Sequence, residues 1–348
     1  MASSRRSKFS GFMPPHVLER VAAQGSVRLR RCAQQTLEAD HWFRQRGAPA
    51  PQRDAARAVA GRPDRRIHSA ENEQTLPGRL VRDEGQSESG DPAVDEAYEW
   101  LGATYRFYWE VFERDSIDAK GMPLIGTVHY ARDYDNAFWN GSQMVFGDGD
   151  GELFRRFTAA PEVVAHELTH GVIERDVGLI YADQAGALNE SLADVFGVLV
   201  KQYHAGQTAQ EADWLIGAAL LTDQVQGRAL RSMQAPGTAY DDPVLGRDPQ
   251  PGHMRDFVDT QADNGGVHIN SGIPNRAFYL AAVALESPAW ESVGPVWYAA
   301  MRDAALSREA DFAAFAALTV DHAERLHGPE SRERRAVDEA WREVGVVS

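Results

Sequence analysis

The run Val163-Val164-Ala165-His166-Glu167-Leu168-Thr169-His170-Gly171 constrains this chain more than any other stretch. It reads as one helix carrying two histidines a single turn apart. At i and i+4 both imidazoles leave the same face, close enough to share one tetrahedral metal ion, and zinc is the usual occupant of such a pair. Glu167, between them, reaches a water held at that ion. Ala165, Leu168 and Val172, spaced three and four apart, form a core-facing stripe. The chain has 11 histidines in 348 residues, so the pattern arises by chance in roughly a few per cent of such sequences. The bland alternative is an amphipathic helix with two hydrogen-bonded histidines.

Two imidazoles leave a metal under-coordinated, so a third ligand should follow. The stretch Gly186-Ala187-Leu188-Asn189-Glu190-Ser191-Leu192-Ala193-Asp194 offers one. Glu190 lies on a second helical pattern, with Asp194 one turn later on the same face. Glu190 closes a two-histidine, one-carboxylate set and leaves the fourth position to water. Asp194, with Asn189, is a candidate outer partner: it is placed to accept the spare N–H of a ligating imidazole and so fix its tautomer. Leu188, Leu192, Val195 and Phe196 are apolar, which puts these acids on a mostly buried element where an unpaired charge is costly. A metal relieves that cost. The other H-E-x-x-H class continues x-x-G-x-x-H; here Ile173 and Asp176 stand at its Gly and His positions, which excludes it.

Several further stretches join the argument: Asn136-Ala137-Phe138-Trp139-Asn140-Gly141, Gly147-Asp148-Gly149-Asp150-Gly151, Gly178-Leu179-Ile180-Tyr181, Arg231-Ser232-Met233, and Asp263 through Gly272 with its Gly265-Gly266-Val267-His268 core. In this order and spacing they run from about residue 67 to the C-terminus. The chain thereby resembles the thermolysin-like neutral metalloendopeptidases. The resemblance implies an α+β fold of two lobes: a mixed, β-rich N-terminal lobe (67–157), then the zinc helix and a mainly helical C-terminal lobe (158–348). It implies one catalytic zinc on His166, His170 and Glu190. Glu167 would be the base that takes a proton from water and returns it to the leaving amine. Tyr181 and His268 would face the oxyanion, with Asp263 orienting the imidazole. Asn136, the Ala137 carbonyl on an edge strand, and Arg231 would hold the substrate backbone, added as an extra strand. Phe154, Phe157, Val163, Ile216 and Leu230 would line the pocket after the scissile bond and favour a bulky hydrophobic residue there. Taken singly, each of these five reads equally well as core.

One departure stands out. The family's paired calcium site maps onto Glu162, Lys201, Asp213, Leu215 and Ala218. Only two acids remain, and hard cations want several carboxylates, so the departure argues against calcium. Lys201 is expected to replace the ion by pairing with Glu162 and Asp213. Asp148 and Asp150 are the other calcium candidates, and read more simply as a turn.

Charge divides the chain. Residues 1–66 carry 14 Lys and Arg against 5 Asp and Glu, while the rest carries 22 against 46. Opposite signs favour docking of one segment on the other; the alternative, a basic tail for nucleic acid, lacks an aromatic-interleaved basic run. Met13-Pro14-Pro15 opens a segment with helical pattern at 15–23 and 33–43, and resembles the short propeptide of the protealysin-like branch. That implies an inhibitory prosegment at 1–46, laid in the substrate cleft. Residues 47–66 are rich in Ala, Pro, Arg and Gly, which marks a linker and a place for maturing cuts, there or near Ile67. Cys32, flanked by arginines that would lower a thiol pKa, raises a rival idea of a thiolate on the zinc.

No stretch approaches 18 apolar residues, and residues 1–15 contain no apolar run. The expectation is a protein without a secretory signal, cytoplasmic at synthesis and secreted, if at all, by a non-standard route. It would be a monomer whose partners are peptide and protein substrates, its own propeptide and a dedicated protein inhibitor, with no nucleic acid and no membrane. Two other readings are an aminopeptidase and a catalytically dead binding protein. An aminopeptidase needs an acidic anchor for the substrate amine, and a binding protein needs a lost ligand or base; the sequence offers neither. Further helices are expected at 92–113, 214–221, 272–285, 293–305, 312–326 and 334–344, and strands at 127–131 and 143–146.

Overall fold

A six-stranded sheet organises the N-terminal half, and its two edges have different origins. The computed structural model describes residues 10–46 and 59–348; most of the compositional linker, 47–58, lies outside the described residues. The strands are β1 (Ser10–Gly11), β2 (Arg65–Ser69), β3 (Arg79–Asp83), β4 (Leu124–Val128), β5 (Ala137–Trp139) and β6 (Met144–Phe146), in the order β1-β5-β6-β4-β2-β3. The β2–β4 and β4–β6 pairs are parallel and the others antiparallel. β1 belongs to the prosegment and covers β5, with Ser10 opposite Trp139 and Gly11 opposite Phe138. Without β1, Ala137–Trp139 is an edge of the sheet, and the chain's own N-terminal segment occupies it.

The rest of the prosegment is a helical hairpin, α1 (Pro15–Gln24) and α2 (Val27–Arg46). Pro14 is extended, as a residue before proline prefers, and Pro15 sits in the first helical turn, where its missing N–H costs nothing. Val17, Leu18 and Val21, with Leu29 and Ala33, join the main core. Ala39 and Phe43 pack into a second cluster with Tyr130, Tyr134, Phe138 and Val145. Docking is thus largely apolar. Of the expected charge contacts, Arg28 among the described residues reaches Asp133, Glu152 and the Asp150 carbonyl. Asp40 accepts from Tyr134 and from Asn136 Nδ2, and Asp135 N–H donates to Thr36.

α3 (Pro92–Phe112) lies against the sheet, capped by Asp91 and ended by Glu113 in the left-handed region. The strand expected at 127–131 begins and ends earlier, at Leu124–Val128, because His129 and Ala131 have φ of +54° and +52°. β2 starts at Arg65, inside the segment read as linker. Ile67 is fully buried between β3 and β4, so the expectation of an accessible cut near Ile67 moves upstream of the strand.

The C-terminal half is helical: α4 (Pro161–Asp176), α5 (Asp183–Ala205), α6 (Asp263–Asn270), α7 (Gly272–Val283), α8 (Val293–Met301), α9 (Phe312–His327) and α10 (Arg332–Glu343). The helix expected at 214–221 is instead β7 (Leu215–Ile216) followed by a 3-10 turn, Ala218–Leu220. Trp214 and Gly217 both have positive φ, which interrupts a regular helix, and β7 pairs with β8 (Arg231–Ser232). α4 is buried on every face from Glu162 to Ile173. Its apolar stripe is in the core as expected, but the histidine face is covered too, by α5 and by the prosegment. α4 and α5 approach closely at Gly197, where a Cβ would come 2.6 Å from the Glu162 carbonyl oxygen. That contact brings Glu190 against the histidine turn. No helix among the described residues is long and apolar enough to cross a membrane.

Candidate active site

His166, His170 and Glu190 converge, with one ligand atom from each lying within 4.8 Å of the others, and all three are buried. The two imidazole Nε2 atoms are 3.0 Å apart. His166 Nδ1 donates to Asp194 Oδ1 at 2.8 Å and His170 Nδ1 to Asn189 Oδ1 at 2.8 Å. Each outer partner keeps the proton on Nδ1, so two Nε2 lone pairs face each other with the Glu190 oxygens 3.5 Å away. Lone pairs and a carboxylate at such range repel unless a cation lies among them. Two imidazoles and a carboxylate suit zinc. Burial alone would raise the Glu190 carboxyl, but His268, His170, His166 and Arg231 outweigh it and hold the group down at about 2.

Asp194 carries more than one imidazole. Arg231 pairs with it through Nε and Nη2 at 2.9 and 2.8 Å, and Asn275 Nδ2 donates to it at 2.9 Å. Burial opposes its ionisation, yet Arg231 and His166 hold it well below the usual carboxylate range. Arg231 was read from the sequence only as a substrate contact; it also fixes the outer partner of a ligand. Asn275, with no motif around it, was missed.

Glu167 is fully buried, and neither carboxylate oxygen accepts a hydrogen bond. Burial and then the charge of Glu190 push its pKa well above the ordinary value, partly offset by the nearby Trp139 and Phe12 N–H dipoles. A carboxyl group with open oxygens in a dry site is suited to a transferable proton.

α6 supplies the imidazole on the opposite wall. Asn264, Gly265 and Gly266 all have positive φ, and a Cβ at Gly265 would lie 3.0 Å from the Asp183 backbone. The glycine pair therefore serves a close approach to the start of α5. His268 Nδ1 meets Asp263 Oδ1 at 2.7 Å, and the His268 N–H donates to Asp263 Oδ2. Burial opposes protonation of His268, but Asp263 and Glu190 raise it to about 9. Tyr181 donates to Glu190 Oε1 and lies 3.3 Å from His268 Nε2.

The prosegment fills the space between these walls. Phe12 N–H donates to the Ala137 carbonyl at 2.9 Å, and Met13 N–H to Asn136 Oδ1 at 2.7 Å. Arg231 Nη1 donates to the Phe12 carbonyl at 3.2 Å, and His268 Nε2 lies 2.9 Å from the Gly11 carbonyl oxygen. The Phe12 ring sits edge-on to His166 and Phe157, with centroids at 5.2 and 6.4 Å, under the Arg231 guanidinium. Phe154, Val163, Ile216 and Leu230 belong to the same buried apolar cluster. Gly11 and Phe12 were not singled out in the sequence, since nothing in a lone Gly-Phe pair marks it. Cys32 is buried on α2 and burial pushes its thiol up to about 11, against the lowering expected of its arginine flanks. Phe12, not the thiol, lies against His166.

At the second cation region, Lys201 Nζ pairs with Asp213 at 3.0 Å and donates to the Leu215 carbonyl. Glu162 accepts from the Gly217 N–H instead of pairing directly, so one of the two expected contacts is made. Asp150 Oδ1 accepts three backbone N–H groups, from Glu152, Leu153 and Phe154, and Asp148 pairs with His129. That is a turn.

The thermolysin metallopeptidase catalytic-domain model matches residues 53–174, and the model of that family's alpha-helical domain matches residues 177–346. An extracellular metalloprotease of Pectobacterium carotovorum subsp. carotovorum is 56% identical over 334 residues, which cover 96% of this chain and 95% of that one. Protease PrtS of Photorhabdus sp. (strain Az29) is 55% identical over 284 residues, 81% of this chain and 76% of the relative. Among solved structures, the precursor of protealysin, a metalloproteinase from Serratia proteamaculans, is similar with a TM-score of 0.90 and 54% identity, over 97% of this chain and all of that chain.

Proposed function

The chain belongs to the thermolysin metallopeptidase family, and from that premise we propose an endopeptidase that cuts before bulky hydrophobic residues. It is a zinc-dependent metalloprotease made as a precursor and matured by propeptide removal. His166, His170 and Glu190 hold the zinc, which when bound lowers the pKa of a water and polarises a carbonyl. Glu167 takes the water's proton and passes it to the leaving nitrogen. His268 and Tyr181 donate to the carbonyl oxygen where negative charge develops, and Asp263 keeps the imidazole turned toward it. Asn136, Ala137 and Arg231 hold the backbone on either side of the pocket.

The observation that carries the specificity is the buried Phe12 ring, edge-on to His166 and Phe157. Burying such a side chain contributes about 1.5–3 kcal/mol. In a peptide series varied only at the residue after the cut, Phe or Leu should therefore exceed Gly in kcat/KM by about 10- to 100-fold. Equal rates across the series would refute the preference. An aminopeptidase reading fares worse, because β1 continues past Gly11 to Ser10 along β5, leaving room for chain before the cut. The extracellular relative supports action outside the cell.

We further propose that the mature enzyme is calcium-independent, with the Lys201 ammonium standing where a cation would bridge Asp213 and the loop after α5. A chelator selective for calcium over zinc should leave the melting temperature unchanged within about 1 °C, since a stabilising ligand's removal shifts it by several degrees. A fall of 5 °C or more, restored by calcium, would contradict this.

A further inference from the structure

The Gly11–Phe12 bond lies where a substrate's scissile bond belongs. The Phe12 ring is buried edge-on to His166 and Phe157, and its N–H is on the Ala137 carbonyl. Its carbonyl is on Arg231, the Met13 N–H is on Asn136, and the Gly11 carbonyl oxygen is on His268. A segment shifted by one residue would turn Phe12 to the opposite face of the strand, and a reversed one would exchange its donors and acceptors. The register is that of a substrate, and the Glu167 oxygens beside it are open.

We propose that Gly11–Phe12 is a second processing site, cut slowly by the same active site that the prosegment blocks. This rests on the endopeptidase reading above. Water adds to the Gly11 carbonyl carbon, Glu167 takes its proton, and His268 holds the developing oxyanion. The C–N bond then breaks as Glu167 returns the proton to the Phe12 nitrogen, and the hydroxyl's remaining proton passes to the same nitrogen, leaving a Gly11 carboxylate and a Phe12 ammonium group. The cut does not activate the enzyme. The segment from Phe12 onward stays anchored, because Met13, Val17, Leu18 and Val21 are buried against the body and Asp40 and Thr36 hold the end of the hairpin. An anchored product also keeps the new amine beside the new carboxylate, which favours resealing and makes the net reaction slow.

The test uses the full-length precursor, loaded with zinc and followed by intact-mass spectrometry for days at two concentrations tenfold apart. The expected species lacks residues 1–11, starts at Phe12, forms at the same fractional rate at both concentrations, and has no casein activity until the linker is cut. The Glu167→Gln precursor should stay whole. In the metal-free precursor, hydrogen exchange should show the Phe12 and Met13 amides protected at least 100-fold over an unstructured peptide. If Gly11–Phe12 survives while the matured enzyme cleaves casein, the proposal is wrong and the endopeptidase reading stands. A rate proportional to concentration, or unprotected Phe12 and Met13 amides, also overturns the proposal. Failure to cleave casein as well would take down the reading on which it rests.

Discussion

Replacing Glu167 by Gln is expected to abolish casein cleavage, by at least about a thousandfold, while leaving zinc bound at one ion per chain. The side chain is buried and accepts no hydrogen bond, so an isosteric amide fits the same space. The ligands are untouched, because His166 and His170 are oriented by Asp194 and Asn189 and not by Glu167. What is lost is a group able to take a proton from water and give it to an amine. The measurement pairs metal analysis with activity on protein whose linker has been cut by an added protease. Linker cleavage by the variant itself should also stop. Retained activity would remove Glu167 from the mechanism, whereas loss of zinc would show a structural role.

Replacing Phe12 by Ala should release activity in the uncut precursor. Phe12 is fully buried, and deleting a buried phenyl ring costs about 3–5 kcal/mol. That weakens prosegment docking by roughly two to four powers of ten. The catalytic body has its own core, so the loss should fall on occupancy of the cleft and not on folding. Activity toward a small peptide substrate, measured before any cut in the linker, should rise toward that of the matured enzyme, with the melting temperature of the body retained. If the variant stays as silent as the parent, the hairpin's other contacts suffice and Phe12 is not the plug.

Much of this site was legible in the sequence because metal chemistry imposes spacing. Two histidines one helical turn apart demand a third ligand, and Glu190 and Asp194 follow from helical geometry on the next element. Tyr181, His268 and Asp263 came through resemblance, since an isolated Tyr or His carries no local signature. Gly11, Phe12 and Asn275 were invisible for the same reason, as their roles exist only across the tertiary fold. The fold showed a parallel limit. Helices with uninterrupted periodicity, such as α3 and α9, lie within a residue or so of expectation. The segment around Trp214 and Gly217 has helical hydrophobicity but positive φ, and a backbone requirement of that kind leaves little trace in apolar spacing. The charge division foretold docking but not its character, which is chiefly apolar around Phe12, Val17 and Phe43.

The sheet order has a consequence for how activation begins. The prosegment strand lies on one edge, and the strand that follows the linker lies four positions away, roughly 19 Å at ordinary strand spacing. Gly11 and Phe12 fill a molecule's own cleft, so if the linker is cut by this enzyme, a neighbour with a free cleft is expected to cut it. Maturation would then run as a chain reaction: a lag while few free clefts exist, then acceleration as each new one recruits others. A trace of finished enzyme shortens the lag, and a well-diluted precursor stays dormant.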